Sequence, residues 1–299
     1  MPILKCKTHL RGILFASAGG IGWGLSGVCG QYLFMTYHLN SAWLTAVRMV
    51  FAGFILTGMS FPRQKQNMIG ILKEPKDTLQ LIAFSIAGLL LCQYAYLSAI
   101  QYSNSGTATV LQSLNVVIMA VFLTFKGRVL PEKVQILSTV LALAGVGLIA
   151  TNGNLHSMVL SSQGLFWGIM SALGVVVYTL LSQRIVEKWG NQVVTGLGML
   201  IGGSLFFAVT RAWEIPVSLD AEALAVLAVI ILLGTAAAFT FYLQGVRDIG
   251  PVKATLIVCL EPVVATVVSA LWLHTRFNTI DILGFCCILA TVFLSVKSR

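Results

Sequence analysis

Charged side chains are scarce in this sequence of 299 residues. Only 10% of the residues are charged, whereas 57% are hydrophobic, and the mean hydropathy is +0.90. A soluble domain carries roughly 25% charged residues, so a soluble globular protein is excluded. Apolar stretches of about 20 residues, each able to span a hydrocarbon core about 30 Å thick, recur along the chain. The composition predicts an all-α membrane protein that crosses the bilayer many times.

Ten membrane-spanning helices are predicted, joined by connections too short to bury a core of their own. The longest connection, 61–78, carries two prolines and four basic residues, and we expect a loop or a short interfacial helix there. The N-terminus resembles a signal peptide, but its apolar run is too long and no clear cleavage site follows, so we interpret it as a retained first helix. The predicted spans are 12–34, 41–60, 79–99, 105–125, 134–151, 163–183, 191–211, 222–243, 251–273 and 279–296.

Basic residues outnumber acidic ones, and the net charge is +9. Their distribution does not suggest a nucleic-acid partner, because 16 of the 19 lysines and arginines fall on one side of the predicted membrane. The exceptions are Arg48, Arg211 and Arg276. Cytoplasmic loops of membrane proteins carry such an excess. We therefore expect a multi-pass protein of the cell (inner) membrane with both termini in the cytoplasm.

Motifs for a cofactor, a metal ion or a disulfide are missing. The six cysteines form no C-x-x-C pair, and the four histidines lack the spacing of metal ligands. No Gly-Lys-Ser/Thr occurs, so an ATP-driven pump is not expected. Gly20 and Gly24 are interpreted as a small face that lets helices approach closely. No cofactor is predicted.

The two halves of the sequence resemble each other when one is aligned with the other at an offset of 146 residues. Tyr96-Leu97 then falls on Tyr242-Leu243, and Ala108-Thr109 falls on Ala254-Thr255. Chance matches between apolar helices are easy, but this register continues without gaps through a helix, a loop and another helix. The register indicates an internal duplication.

Each half of the chain then holds five predicted spans. Because five is an odd number, the second half must enter the membrane upside down relative to the first. Inverted repeats are common in secondary transporters, which bind solutes near the midplane where the repeats meet and alternate access by rocking one half against the other. We therefore predict two inverted five-helix repeats, 1–151 and 152–299, around a central cavity.

Two stretches resemble the signature regions of EamA-type transporters of the drug/metabolite transporter superfamily. They read "YAYLSAIQYSNSGTATVLQSLNVVIMAVF" and "FYLQGVRDIGPVKATLIVCLEPVVATVVSALWL". The second matches better, since Leu260–Val263 and Gly284 follow the family pattern, whereas Asn115-Val116 stands where the second half has Glu261-Pro262. The resemblance implies a secondary transporter over the whole chain. It does not identify the substrate, because the family moves amino acids, metabolites, nucleosides and drugs.

Glu261 and Pro262 stand in the middle of an apolar run from Val252 to Leu273. An ionisable residue inside a membrane is costly and suggests a function. Pro262 lacks an N–H and frees carbonyls around Val258. We hypothesise that Glu261 is a neutralisable carboxylate facing the cavity, where it serves coupling or contacts the substrate. The alternative is a structural glutamate that holds the kink.

Five further residues inside spans are candidates for substrate binding or coupling. Asn115 matches the glutamate of the second repeat and either faces the same cavity or makes an interhelical hydrogen bond. Arg48 either snorkels or pairs, or it lines the cavity and suits a substrate carboxylate. Trp23, Tyr94 and Tyr178 are each interpreted as cavity-lining or as simple packing residues.

The leading functional hypothesis is a secondary transporter of small organic solutes, either amino-acid-like metabolites or drugs. We expect an exporter that works by alternating access, with proton or gradient coupling left open. The expected partners are the solute and the lipid bilayer, and the expected assembly is a monomer or homodimer. The alternatives are a lipid-handling membrane protein, a non-transporting membrane subunit and, least favoured, an intramembrane enzyme. No G-x-S-x-G, H-E-x-x-H or paired midplane carboxylates support catalysis.

Overall fold

Helices make up nearly all of the structure, a computed structural model that describes residues 2–127, 133–153, 160–249, 254, 257–258 and 260–297. No β-strand occurs in these ranges. An α-helix bonds its backbone groups within one segment, as the hydrocarbon core requires. The predicted all-α class is confirmed.

The helices are numbered in chain order. The first half forms α1 (Pro2–Tyr37), α2 (Ser41–Lys73), α3 (Pro75–Tyr102), α4 (Ser105–Gln112), α5 (Asn115–Gly127) and α6 (Lys133–Thr151). The second half forms α7 (Ser162–Trp189), α8 (Asn191–Val209), α9 (Ala221–Ile231, Leu232–Ala237 and Ala238–Ile249), α10 (Leu260–Trp272) and α11 (Thr279–Lys297). Two segments are π-helical, Phe84–Leu90 within α3 and Leu232–Ala237 within α9, and they occupy matching places in the two halves.

Polar side chains cap the beginnings of five of these helices. Each accepts a hydrogen bond from a backbone N–H of the first turn, which would otherwise lack a partner. The bonds are 2.7–3.0 Å long. The capping residues are Asn40, Asn104, Ser161, Asp220 and Asn278.

Each predicted span contains an apolar helix among the described residues. Among the described residues, 6 helices are long and apolar enough to cross a membrane, namely Leu10–Tyr37, Ser41–Lys73, Pro75–Tyr102, Ser162–Trp189, Asn191–Val209 and Ala221–Val246. Shorter apolar helices at Ser105–Met119, Thr139–Thr151, Leu260–Trp272 and Thr279–Ala290 match the remaining predicted spans. The ten-helix architecture of two inverted five-helix repeats around a central cavity is confirmed.

Three details differ from the predicted spans. The connection predicted at 61–78 is mostly a continuation of α2, which contains Pro62 and bends at the non-helical Gln64. The predicted span 105–125 is two helices, because the chain turns at Ser113 and Leu114. The beginning of the span predicted at 251–273 lies largely outside the described residues.

Reciprocal contacts relate the two halves where α2 packs along α8. A Cβ atom added to Gly53 would lie 2.6 Å from the backbone nitrogen of Leu200. One added to Gly203 would lie 2.8 Å from the backbone nitrogen of Val50. Gly203 follows Gly53, and Leu200 follows Val50, by the same 150 residues. Such an exchange of partners is what a two-fold relation between repeats produces.

The first helix of each repeat packs mainly against the other repeat. Helix α1 lies along α9 and α10, and α7 lies along α3 and α4. Repeat-equivalent helices also pack in pairs, α2 with α8, α4 with α10, and α6 with α11. The halves are therefore interlocked, and the space between them is enclosed by helices of both.

Candidate functional site

A cavity of about 180 Å³ lies between the two repeats. The helices α1, α2, α3, α4, α5, α7, α9 and α10 all contribute to its wall. The wall combines one guanidinium, one carboxylate, three side-chain amides and several aromatic rings. The lining residues are Trp23, Arg48, Leu89, Cys92, Gln93, Tyr96, Gln112, Asn115, Val175, Tyr178, Phe239, Tyr242, Val258 and Glu261.

Many of the lining residues are matched by the internal repeat. Residues that stand 146 positions apart occupy equivalent places in the two halves, and members of four such pairs both line the cavity. The cavity therefore follows the pseudo-symmetry of the molecule. The pairs are Gln93 with Phe239, Tyr96 with Tyr242, Gln112 with Val258, and Asn115 with Glu261.

Glu261 is half-buried at the start of α10. The next residue, Pro262, has no N–H to offer the Val258 carbonyl four residues earlier, so the regular helical bond is missing there. Helix α1 packs directly against this point, because a Cβ added to Gly24 would lie 2.8 Å from the Glu261 carbonyl oxygen. The predicted packing role of this glycine is consistent with its position, and the glutamate faces the cavity beside interrupted backbone.

The first repeat has a comparable interruption without a proline. Helix α4 ends at Gln112, and the Val116 N–H bonds to the Ser113 carbonyl at 3.3 Å, three residues back. The Asn115 side chain donates its Nδ2 hydrogen to the Gln112 carbonyl at 2.7 Å. Asn115 thus lines the cavity and caps a backbone group of its own span.

Arg48 is 3% exposed and does not snorkel to the surface. Its Nε donates to the Thr235 hydroxyl oxygen in the π-helical segment of α9 at 2.8 Å, and its Nη1 is buried without a hydrogen-bond partner among the described residues. In the part of the chain that the structure describes, no carboxylate forms an ion pair with Arg48, although Glu261 lines the same cavity. Its role in binding stays a prediction.

The structure separates the three aromatic candidates. Trp23 lines the cavity and packs against two further lining residues, with ring-centre distances of 5.0 Å to Phe239 and 5.2 Å to Tyr242. Tyr178 also lines the cavity. Tyr94 is not among the lining residues, and its ring packs instead against two aromatic neighbours outside the cavity wall.

Several lining residues were not among the sequence candidates. Tyr96 donates to or accepts from the Thr109 hydroxyl at 3.0 Å, and Tyr242 is its repeat-mate. The 146-residue register had already matched these two tyrosines. The internal duplication could therefore have identified both as candidates for the cavity wall. Gln93 and Gln112 are polar residues inside apolar spans, which is a weaker signal of the same kind.

A cluster that we name the Asp77 clasp joins α3 to the end of α7. The Asp77 carboxylate is fully buried and accepts hydrogen bonds from Lys188 at 2.8 Å, Trp189 at 2.9 Å and Arg184 at 3.2 Å. Lys188 also pairs with Glu74. The clasp lies on the side of the bundle where α1 begins.

The equivalent cluster on the opposite side, the Asp220 clasp, joins α9 to the end of α1. The Tyr37 hydroxyl donates to Asp220 at 2.8 Å, and the Tyr32 hydroxyl donates to Glu222 at 2.7 Å. The Ala223 N–H and the Tyr37 hydroxyl hold the pKa of Asp220 below its usual range. Ion pairs thus hold the Asp77 clasp, whereas neutral donors hold the Asp220 clasp.

Comparisons with known proteins agree with this architecture. A profile of the EamA-like transporter family matches residues 10–151 and 162–297. The chain is 34% identical over 290 residues to the "Uncharacterized inner membrane transporter YicL" of Salmonella typhimurium, covering 97% of this chain and 96% of that protein. It is 22% identical over 228 residues to an uncharacterized transporter of Archaeoglobus fulgidus, covering 75% and 78%. A crystal structure with 17% identity superposes with a TM-score of 0.60 over 97% of this chain and 95% of that one, a likeness of fold.

Proposed function

The chain belongs to the EamA-like transporter family and is a multi-pass membrane transporter, and we propose that it moves a small organic solute through its central cavity by alternating access. The observation that carries the proposal is the cavity itself, which both repeats line with matched residues. Its wall contains a carboxylate, a guanidinium and amides. A wall of this kind suits a polar solute, whereas an apolar lateral groove would suit a lipid.

The size of the cavity favours a metabolite over a drug. Its volume of about 180 Å³ is smaller than the roughly 300–1,000 Å³ of typical drug-sized pockets. Arg48 and Glu261 offer opposite charges that are not paired with each other. An amino-acid-like solute carries groups that complement both.

We further propose that Glu261 couples transport to a proton gradient. A carboxylate held among apolar helices is easier to keep in the membrane when it is neutral, so loss and gain of a proton would change which opening is preferred. The adjacent break in the helix gives α10 a point at which to bend. In this proposal the protein is an exporter of the inner membrane with cytoplasmic termini, working as a monomer or homodimer.

The interlocked packing suggests which parts move. Arg11 of α1 pairs with Asp248 at the far end of α9, at 2.8 Å, and the Asp220 clasp joins the other ends of the same two helices. Helices α3 and α7 are likewise joined at both ends, by the Asp77 clasp and by the bond from Ser161 to the Tyr102 carbonyl at 2.8 Å. We expect the moving units to combine helices from both repeats.

A transport assay tests the proposed function. The purified protein is reconstituted in proteoliposomes, and the fluxes of radiolabelled alanine, leucine and phenylalanine are measured with and without an imposed pH gradient. We expect saturable flux of at least one of them that responds to the gradient. Empty liposomes are the control. Fluxes equal to those of empty liposomes for every amino acid would contradict the proposal for this solute class.

A further inference from the structure

Arg48 is held by a residue of the other repeat. Its Nε donates to the Thr235 hydroxyl oxygen at 2.8 Å, and both side chains are buried. The Thr235 hydroxyl donates in turn to the Ile230 carbonyl at 2.9 Å, five residues back in the π-helical segment. Because the hydroxyl hydrogen is committed to that carbonyl, a lone pair of the oxygen is left to accept from the guanidinium. The π-helical segment therefore orients the arginine.

One nitrogen of the guanidinium is left without a partner by the residues that the structure describes. Nη1 is buried without a hydrogen-bond partner. A buried charge that lacks a partner is strongly unfavourable, so an arrangement that keeps one is expected to gain a partner in another state. A carboxylate is the matching group, because guanidinium and carboxylate form short, charge-assisted and often bidentate hydrogen bonds.

The internal repeat shows that this arrangement occurs once in the cavity. Helices α2 and α8 are related by 150 residues, which places Gly198 at the position equivalent to Arg48. Helices α3 and α9 are related by 146 residues, which places Leu89 at the position equivalent to Thr235. The equivalent pair has neither a cation nor a hydroxyl. A solute anion would therefore meet one guanidinium and bind in one orientation.

We propose that Thr235 is a positioning residue that holds Arg48 as the anion-binding group of the cavity, so that solutes are selected by a carboxylate. The inference rests on the proposed function and deepens it. Other polar groups of the cavity, Gln93, Tyr96 and Glu261, carry no positive charge and do not substitute for the guanidinium.

Binding to the purified full-length protein tests this role. The probes are alanine, leucine and phenylalanine, the matching amines ethylamine, isoamylamine and phenethylamine, and the matching acids propionate, 4-methylpentanoate and 3-phenylpropionate. Affinities are measured from the intrinsic tryptophan fluorescence, to which the cavity residue Trp23 contributes. We expect at least one carboxylate-bearing probe to bind the wild type about tenfold more tightly than the matching amine.

Two substitutions at Thr235 separate positioning from packing. Thr235→Val keeps the shape but removes the hydroxyl, and we expect it to weaken binding of the carboxylate probes about tenfold while leaving the amines unchanged. Thr235→Ser restores the acceptor and should restore the preference. Thr57→Val is the matched control, because within the described ranges the Thr57 hydroxyl is buried without a hydrogen-bond partner and Thr57 does not line the cavity.

Each possible result of these binding measurements either supports the inference or overturns it. Equal weakening of acids and amines by Thr235→Val would assign Thr235 a structural role and overturn the inference, as would an unchanged preference. Failure of every carboxylate probe to bind the wild type more tightly than its amine would also overturn it. If the binding pattern is as expected but the proteoliposomes move none of the amino acids, the transport proposal fails while the anion site stands.

Discussion

The fourth membrane span of each repeat is interrupted at the same place by different chemistry. In the first repeat the Gln112 carbonyl loses its regular helical donor and is capped by the Asn115 side chain at 2.7 Å. In the second repeat the equivalent carbonyl, that of Val258, loses its donor because residue 262 is proline. The position of the break is therefore shared by the two repeats, and the side chain that accompanies it is not.

This difference changes what each repeat gives to the cavity. The first repeat contributes the amides of Gln93, Gln112 and Asn115, and the matched positions of the second contribute Phe239, Val258 and a carboxylate. The guanidinium comes from the first repeat and its positioning hydroxyl from the second. Duplication explains where the cavity lies, and divergence between the copies explains its charge.

The largest expected effect is a loss of stability at the contact between α2 and α8, which relates the two halves. Gly53→Ala and Gly203→Ala should each destabilise the protein by about 1–3 kcal/mol, because the new methyl group meets backbone in the partner helix. Gly58→Ala, in the same α2, is the matched control, since a Cβ there meets nothing within 4 Å. Thermal unfolding in detergent measures the effects. If one of the two substitutions is harmless, the two-fold relation between α2 and α8 is wrong.

A smaller effect is expected from the two clasps. Asp77→Asn should lower the melting temperature more than Asp220→Asn does, because Asp77 loses charge-assisted bonds from two cations whereas Asp220 keeps neutral donors. High salt should reduce the difference by screening the partly exposed ion pairs. Equal decreases in melting temperature for the two variants would mean that the ion pairs of the Asp77 clasp stabilise the protein no more than ordinary hydrogen bonds do.

The Asp220 clasp should also respond to acid. Folding lowers the pKa of Asp220, so its contribution is complete above the unfolded value of about 3.9 and is lost as the pH falls through the folded pKa. Melting temperatures of the wild type and Asp220→Asn should therefore converge on acidification. A constant difference down to the lowest pH at which the protein stays folded would contradict this linkage.

The smallest effect is expected at the cap of the first repeat. Asn115→Ala should cost about 1 kcal/mol, the value of a typical helix cap, because water in the cavity can replace the lost bond to the Gln112 carbonyl. Asn115→Asp is the informative companion, since it places carboxylates at both repeat-equivalent positions. We expect it to impair transport more than Asn115→Ala does. The reverse order would show that the amide serves mainly as a cap.

The sequence was sufficient for the architecture because hydropathy and the repeat register are properties of long segments. It was less informative about single side chains. Tyr94 and Tyr96 stand two residues apart in the same span, so composition does not reveal which one faces the cavity, and the structure places Tyr96 there. The π-helical segments and the turn at Ser113 were not predicted either, since none of them contains a proline that would indicate an interrupted helix.

The central claim is that the carboxylate of Glu261, beside the break in the second repeat, couples transport to protons. The direct measurement is the pH dependence of transport in proteoliposomes by the wild type and by Glu261→Gln, which keeps the size and hydrogen bonding of the side chain but does not ionise. We predict that the variant inserts and folds normally and that its transport rate no longer follows pH. A pH profile identical to that of the wild type would contradict the claim and leave Glu261 a structural residue of the kink.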